Sequence, residues 1–135
     1  MEALIDMKID TVNGEFEFYL PEHIKVVAIK VSGGLDSAIL LYMTCKFIQE
    51  NNRDITVSVI TTNDWLKPYQ VKFAKQVLDW MKNEFPNIKW GQHNTHQLEH
   101  GEDYVKGQTQ HKEQALAQMY QDGLTTDVVL YGQNL

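Results

Sequence analysis

Two serines, two glycines and an aspartate stand together at Ser32-Gly33-Gly34-Leu35-Asp36-Ser37, and their types and order suit phosphate binding. Glycines permit backbone angles that a Cβ forbids and let a ligand approach closely. Successive backbone N–H groups can then converge on one anion. A helix N-terminus at the same place would add partial positive charge. Ser32 and Ser37 would add hydroxyl donors. Asp36 is the odd member, since an anion repels phosphates. It fits if it holds Mg²⁺ against those phosphates or caps a helix. The competing reading is a tight Gly-Gly turn capped by Asp36. Neither G-x-x-x-x-G-K-[ST] nor G-x-G-x-x-G occurs.

Further constellations lie downstream. His93, His96 and His100, with Glu99, Glu102 and Asp103 nearby, have spacing that would suit zinc on a helix. Flanking glycines and the lack of a nearby cysteine favour a solvated polar loop instead. Trp65 and Tyr69 would flank a base or, more simply, pack at the start of a helix.

These residues need elements to position them. Ile24 to Val31 is β-branched and apolar, with a buried strand expected at Val26 to Val31. A helix follows from Asp36 to about Glu50, its buried face carried by Leu40, Met43 and Phe47. Ile55 to Thr61 reads as the second strand, ending in Thr62-Asn63-Asp64. A second helix starts near Pro68 and buries Ala74, Val77, Leu78, Met81 and Phe85. Ile88-Lys89-Trp90 reads as a short third strand, and Gln92 to Gly107 as a long irregular loop. The third helix is expected at Gln108 to Gln121, with Ala115, Leu116, Met119 and Tyr120 inward and Gly123 at its end. Asp127 to Tyr131 reads as the fourth strand, leading into Gly132-Gln133-Asn134. Upstream, Leu4 to Leu20 reads as a hairpin turning at Asn13-Gly14. The organisation expected is a hairpin over residues 1–22 and a nucleotide-binding domain over 23–135.

Alternating strands and helices imply an α/β fold with a parallel sheet and helices on both faces. Ligands in such sheets sit beyond the carboxyl ends of the strands. Ser32, Asn63-Asp64 and Gly132 to Asn134 all fall on that edge, so Ser32, Asp36, Asn63 and Gly132 are expected to line one crevice.

Composition narrows the class. The chain has 135 residues, a net charge of −6 and no basic run, which argues against nucleic-acid binding by this segment alone. Its only cysteine, Cys45, rules out an internal disulfide and reads as a small core residue. No signal peptide or membrane span is visible, so a cytoplasmic protein without membrane contact is expected.

The S-G-G-x-D-S pattern resembles the PP-loop of the ATP pyrophosphatase superfamily (adenine nucleotide alpha-hydrolase-like). That superfamily includes the 7-cyano-7-deazaguanine synthases, the tRNA thiouridine and lysidine synthetases, and the synthetase halves of asparagine and GMP synthesis. The resemblance covers most of the chain after the hairpin and implies a Rossmann-like, HUP-type sheet that binds ATP with Mg²⁺. It implies ATP contacts at Val31, Ser32, Gly33, Gly34, Leu35, Asp36 and Ser37, at Ile60, Thr61 and Asn63, and at Gly132. Ser32, Ser37 and Asp36 would carry the catalytic role, with Mg²⁺ held by Asp36 through the phosphates. Lys106, His111 and Lys112 stand where family members often supply a cation for pyrophosphate, and the two lysines are the expected contacts. The implied activity is cleavage of ATP to AMP and pyrophosphate, adenylating an acceptor for amide- or nitrile-type nitrogen transfer. The acceptor would be a small molecule or RNA, and the protein a homo-oligomer or part of a larger chain. An adenylyl-sulfate reductase-like protein, a tRNA sulfur-transfer enzyme and a non-catalytic nucleotide-binding module are the alternatives. Where the family often has Gly-His-Asn and then acidic metal ligands, this chain has Gly132-Gln133-Asn134 and stops at Leu135. A fragment, or a minimal form without the substrate-recognising part, is therefore expected.

Overall fold

The computed structural model of the chain describes residues 7–11 and 14–131. The order of elements is β1 (Met7–Thr11), β2 (Gly14–Phe18), β3 (Val26–Lys30), α1 (Leu35–Glu50), β4 (Thr56–Asn63), α2 (Gln70–Glu84), β5 (Lys89–Gln97), α3 (Tyr104–Gln121) and β6 (Val128–Tyr131). Four strands form one sheet in the order β5-β4-β3-β6, and every pairing is parallel. The fold is α/β and Rossmann-like.

The central strands are apolar because both of their faces are covered. Val27, Ile29, Val31, Val57 and Val59 pack on one face with Leu41, Phe47, Ala74, Leu78 and Met81 of α1 and α2. Ala28 and Ile60 meet Ala115 and Met119 of α3 on the other. The chain steps from β3 outward to β4 and β5, then returns past α3 to place β6 on the far side of β3. That reversal, between β3 and β6, opens a crevice beyond the strand ends.

β1 and β2 pair antiparallel, with Met7 opposite Phe18 and Thr11 opposite Gly14. The connection expected at Asn13-Gly14 has its first residue outside the described residues. Phe18 packs edge-on against Phe47 at 5.6 Å between ring centroids. Arg53 donates to the carbonyls of Leu20 and Pro21 at 2.7 and 2.6 Å, tying the segment before β3 to the end of α1.

Three expectations are corrected. The polar stretch from Gln92 onward is not a long loop: β5 continues to Gln97, with Thr61 opposite Thr95 and Asn63 opposite Gln97. It is an edge strand, and an edge strand keeps polar side chains that a central strand would not. Without apolar alternation, its sequence carries no strand signal. α3 begins at Tyr104 rather than Gln108, because the Asp103 side chain caps it by accepting from the Lys106 N–H at 3.0 Å. Tyr120 points outward, 69% exposed, while Ala115 and Met119 are buried. Among the described residues no helix is long and apolar enough to cross a membrane.

Candidate anion site at the carboxyl edge of the sheet

The loop after β3 is held from three sides. Val31 N–H donates to the Ile60 carbonyl at 3.0 Å, extending the β3–β4 ladder by one residue. The Thr61 hydroxyl donates to the Val31 carbonyl at 2.7 Å. Ser37, at the first turn of α1, reaches back: its Oγ accepts from Ser32 N–H at 3.1 Å and donates to the Gly34 carbonyl at 3.2 Å. The Ser32 and Ser37 hydroxyls lie 3.3 Å apart.

Gly33 has φ +85, in the left-handed region. A Cβ there would stand 2.6 Å from Phe73 Cβ and 3.2 Å from the Gln70 carbonyl, so the loop is seated against the first turn of α2. Gly34 forms the N-cap of α1 with no side-chain cap. The first-turn N–H groups of a helix have no partner within it. Asp36 occupies that turn with its side chain exposed.

Beside this loop a cleft of about 340 Å³ opens. Its floor is Lys30, Val31 and Ser32 at the end of β3, with Ser37 behind and Ile60 and Thr62 from β4. Tyr131 from β6 closes one side, Tyr104 and Gln108 from α3 another, and Lys67 and Gln70 the third. Its described lining holds two lysines and no carboxylate, in a chain of net charge −6. Burial, reinforced by Lys112, lowers the Lys30 ammonium to about 8. Its Nζ sits 5.9 Å from the centroid of the Tyr131 ring. Thr62 Oγ1 is 2.7 Å from Nδ1 of the buried His111. Burial, then the neighbouring His96 and Lys30, brings that imidazole down to about 4, so it is neutral at pH 7. Burial also pushes the Tyr104 hydroxyl up, and Asp64 adds to this.

Of the residues expected at the site, Val31, Ser32, Ser37 and Ile60 line the cleft. Gly33 and Gly34 shape the loop, and Leu35 is 75% exposed beyond it. Thr61 faces the opposite side of the sheet, bonded to Val31 and 2.9 Å from His93 Nε2. Asn63 lies at the expected edge, but its side chain is used within the fold. It donates to the Pro68 carbonyl and Gln97 Oε1 at 2.7 and 2.6 Å, and accepts from Val71 N–H at 2.9 Å. Lys106 and Lys112 are on α3 outside the cleft lining. Gly132 lies outside the described residues.

The histidines take separate partners. His93 meets Thr61, His96 packs on the His111 ring with centroids 5.3 Å apart, and His100 packs on Trp65 at 4.3 Å. Trp65 also donates to the Glu102 carbonyl at 3.1 Å, so it ties two loops together rather than flanking the cleft. Among the described residues no three His, Cys, Asp or Glu side chains are grouped to hold a metal.

Sequence reasoning placed Thr62 in the expected run Ile60 to Asn63, and missed Lys30, Lys67, Gln70, Tyr104, Gln108 and Tyr131 as cleft residues. One signal was present: Lys30 is the charged residue in the otherwise apolar stretch Val26 to Val31.

Fold and site together define a doubly wound α/β domain with a cleft lined by lysines and hydroxyls at its topological switch point. Comparison with protein-family models and with curated proteins finds no match for this chain.

Proposed function

We propose that this is a PP-loop-like domain that binds ATP and cleaves it between the α and β phosphates. The observation that carries the reading is the Ser32–Ser37 loop. It is a left-handed glycine turn between a buried strand and an open helix N-terminus, beside a cleft lined by lysines and hydroxyls without a carboxylate. Such a cleft suits a polyanion far better than a neutral or cationic ligand.

In this reading the N–H groups at the start of α1 hold the β and γ phosphates, joined by the Ser32 and Ser37 hydroxyls once these turn from their partners within the loop. An acceptor oxygen attacks the α phosphorus, the bond from that phosphorus to the bridging oxygen breaks, and pyrophosphate leaves. Donors placed where charge grows on the leaving group stabilise the transition state. The acceptor adenylate is then attacked at the acceptor carbon by a nitrogen nucleophile, releasing AMP. Asp36, the loop's single carboxylate, is exposed and outside the cleft lining rather than in the crevice where it was expected, so it would contribute one ligand to a metal ion that arrives with the nucleotide. Mg²⁺ held there would neutralise phosphate charge.

The test is calorimetry followed by turnover. ATP with Mg²⁺ is expected to bind better than AMP, which lacks the phosphates the loop grips. Pyrophosphate release that depends on an added acceptor is expected from the protein. Equal affinity for ATP and AMP would remove the phosphate-loop reading. Tight ATP binding with no pyrophosphate under any acceptor screen would leave a non-catalytic nucleotide module.

A further inference from the structure

Lys30 lies in the floor of the cleft and has no acidic partner among the described residues. Around its head stand Lys112 and His111 of α3 and the Tyr131 ring of β6. His96 of β5 stacks on His111, and Lys67 lines the cleft from the segment before α2. Lys30 in the cleft, and Lys112, His96 and His111 outside its lining, thus lie close together. Burial and Lys112 act on Lys30, and burial, His96 and Lys30 act on His111, with no carboxylate offsetting them. With His111 neutral, Lys30 and Lys112 remain as two neighbouring like charges, and an anion in the cleft is what would satisfy Lys30.

We propose that Lys30 binds a phosphate oxygen of the nucleotide, its ammonium near the Tyr131 ring in the cleft that Ser32 and Ser37 also line. The inference rests on the ATP reading of the same cleft and adds to it a residue upstream of the phosphate loop. It also sets a pH dependence. The free Lys30 is half protonated near pH 8. A phosphate favours the charged form, so binding draws a proton from solution. ATP itself is fully ionised above about pH 7.5, so the uptake belongs to the protein.

Isothermal titration of ATP, AMP and adenosine reads the proposal directly. Lys30→Met keeps the stem length and apolar packing, and its thermal unfolding checks that the fold survives. This variant is expected to lose roughly 10- to 100-fold in ATP affinity, the range for a charge-assisted hydrogen bond, and to bind adenosine as the native chain does. A loss shared by AMP assigns the α phosphate, and a loss confined to ATP assigns the outer phosphates. In the native chain, ATP affinity is expected to fall roughly eightfold from pH 7.5 to 9, the ratio of protonated fractions for a group at about 8. Roughly half a proton should be taken up at pH 8, read from titrations in buffers of different ionisation enthalpy. Lys30→Arg stays charged and should bind ATP with that pH dependence flattened. Unchanged ATP affinity in Lys30→Met, or an equal loss for adenosine, overturns the proposal. If the native chain binds no ATP, the nucleotide reading falls. Inorganic pyrophosphate then tests Lys30 alone: binding lost in Lys30→Met keeps its anion role, and binding retained removes it.

Discussion

Replacing Gly33 by alanine tests whether the loop is seated as described. Two effects add. The left-handed backbone, φ +85, costs a residue with a Cβ about 1–2 kcal/mol. The new Cβ would also stand 2.6 Å from Phe73 Cβ, an atom fixed to the helix backbone that no rotamer change can move. Relieving that overlap by shifting the loop or the start of α2 costs about 1–3 kcal/mol. The sum, about 2–5 kcal/mol, is a large share of the roughly 5–15 kcal/mol that holds a domain of this size. Three other glycines separate the terms. Gly101 and Gly123 have φ +85 and +86 with open space around them, so alanine there should cost only the backbone part, about 1–2 kcal/mol. Gly34 has φ −82 and its nearest contact is Ser32 Oγ at 3.4 Å, so alanine there should cost only the N-cap preference, about 0.5–1 kcal/mol. Urea unfolding of the four variants gives the order, with a midpoint drop on the order of 1–2 M expected for Gly33→Ala. A Gly33→Ala protein no less stable than Gly123→Ala would refute the close seating of the loop on α2.

The two loop serines should behave differently from each other. Both Ser32→Ala and Ser37→Ala are expected to lower pyrophosphate release by a factor on the order of 10²–10³, as lost transition-state donors do. Ser37→Ala should also lose about 1–3 kcal/mol in urea unfolding, more than Ser32→Ala, because it strips partners from the part-buried Ser32 N–H and the Gly34 carbonyl, whereas from the backbone Ser32 Oγ accepts only a longer bond, from the exposed Gly34 N–H at 3.3 Å. His111 should make stability depend on pH. Its folded value of about 4 lies below the unfolded 6.5, so the unfolded chain binds the proton more readily between these values. Its contribution is therefore full above pH 6.5 and lost as the pH falls toward 4. Comparing unfolding at pH 5 and pH 7 should show a smaller difference in His111→Asn than in the native chain. Cys45 is fully buried and its thiol is pushed up to about 12, so a thiol reagent at pH 8 should label it only after urea unfolds the chain.

The sequence by itself determined the strand–loop–helix around Ser32, because its signals are local. Two glycines, a buried β-branched run and a helix-forming run fix a turn without reference to distant residues. The buried stripe of α2, Ala74, Leu78, Met81 and Phe85, was legible for the same reason: a 3.6-residue period survives in one dimension. The parallel sheet followed from the alternation of strands and helices, and its order from β5 to β6 was decided by the tertiary structure. β5 was hidden beyond Trp90, since Gln92 to Gln97 is polar throughout and becomes a strand only by pairing with β4. Thr61 and Thr62 are neighbours in sequence, yet pleating sends Thr61 under the loop and Thr62 into the cleft. Asn63 reads as a ligand contact in sequence, but in space the start of α2 and the end of β5 take all of its hydrogen bonds. The cation cluster at Lys30 was least legible, because its members are drawn from β3, β5 and α3. Coulomb interactions follow distance in space, so only the folded sheet could bring those groups close to one another.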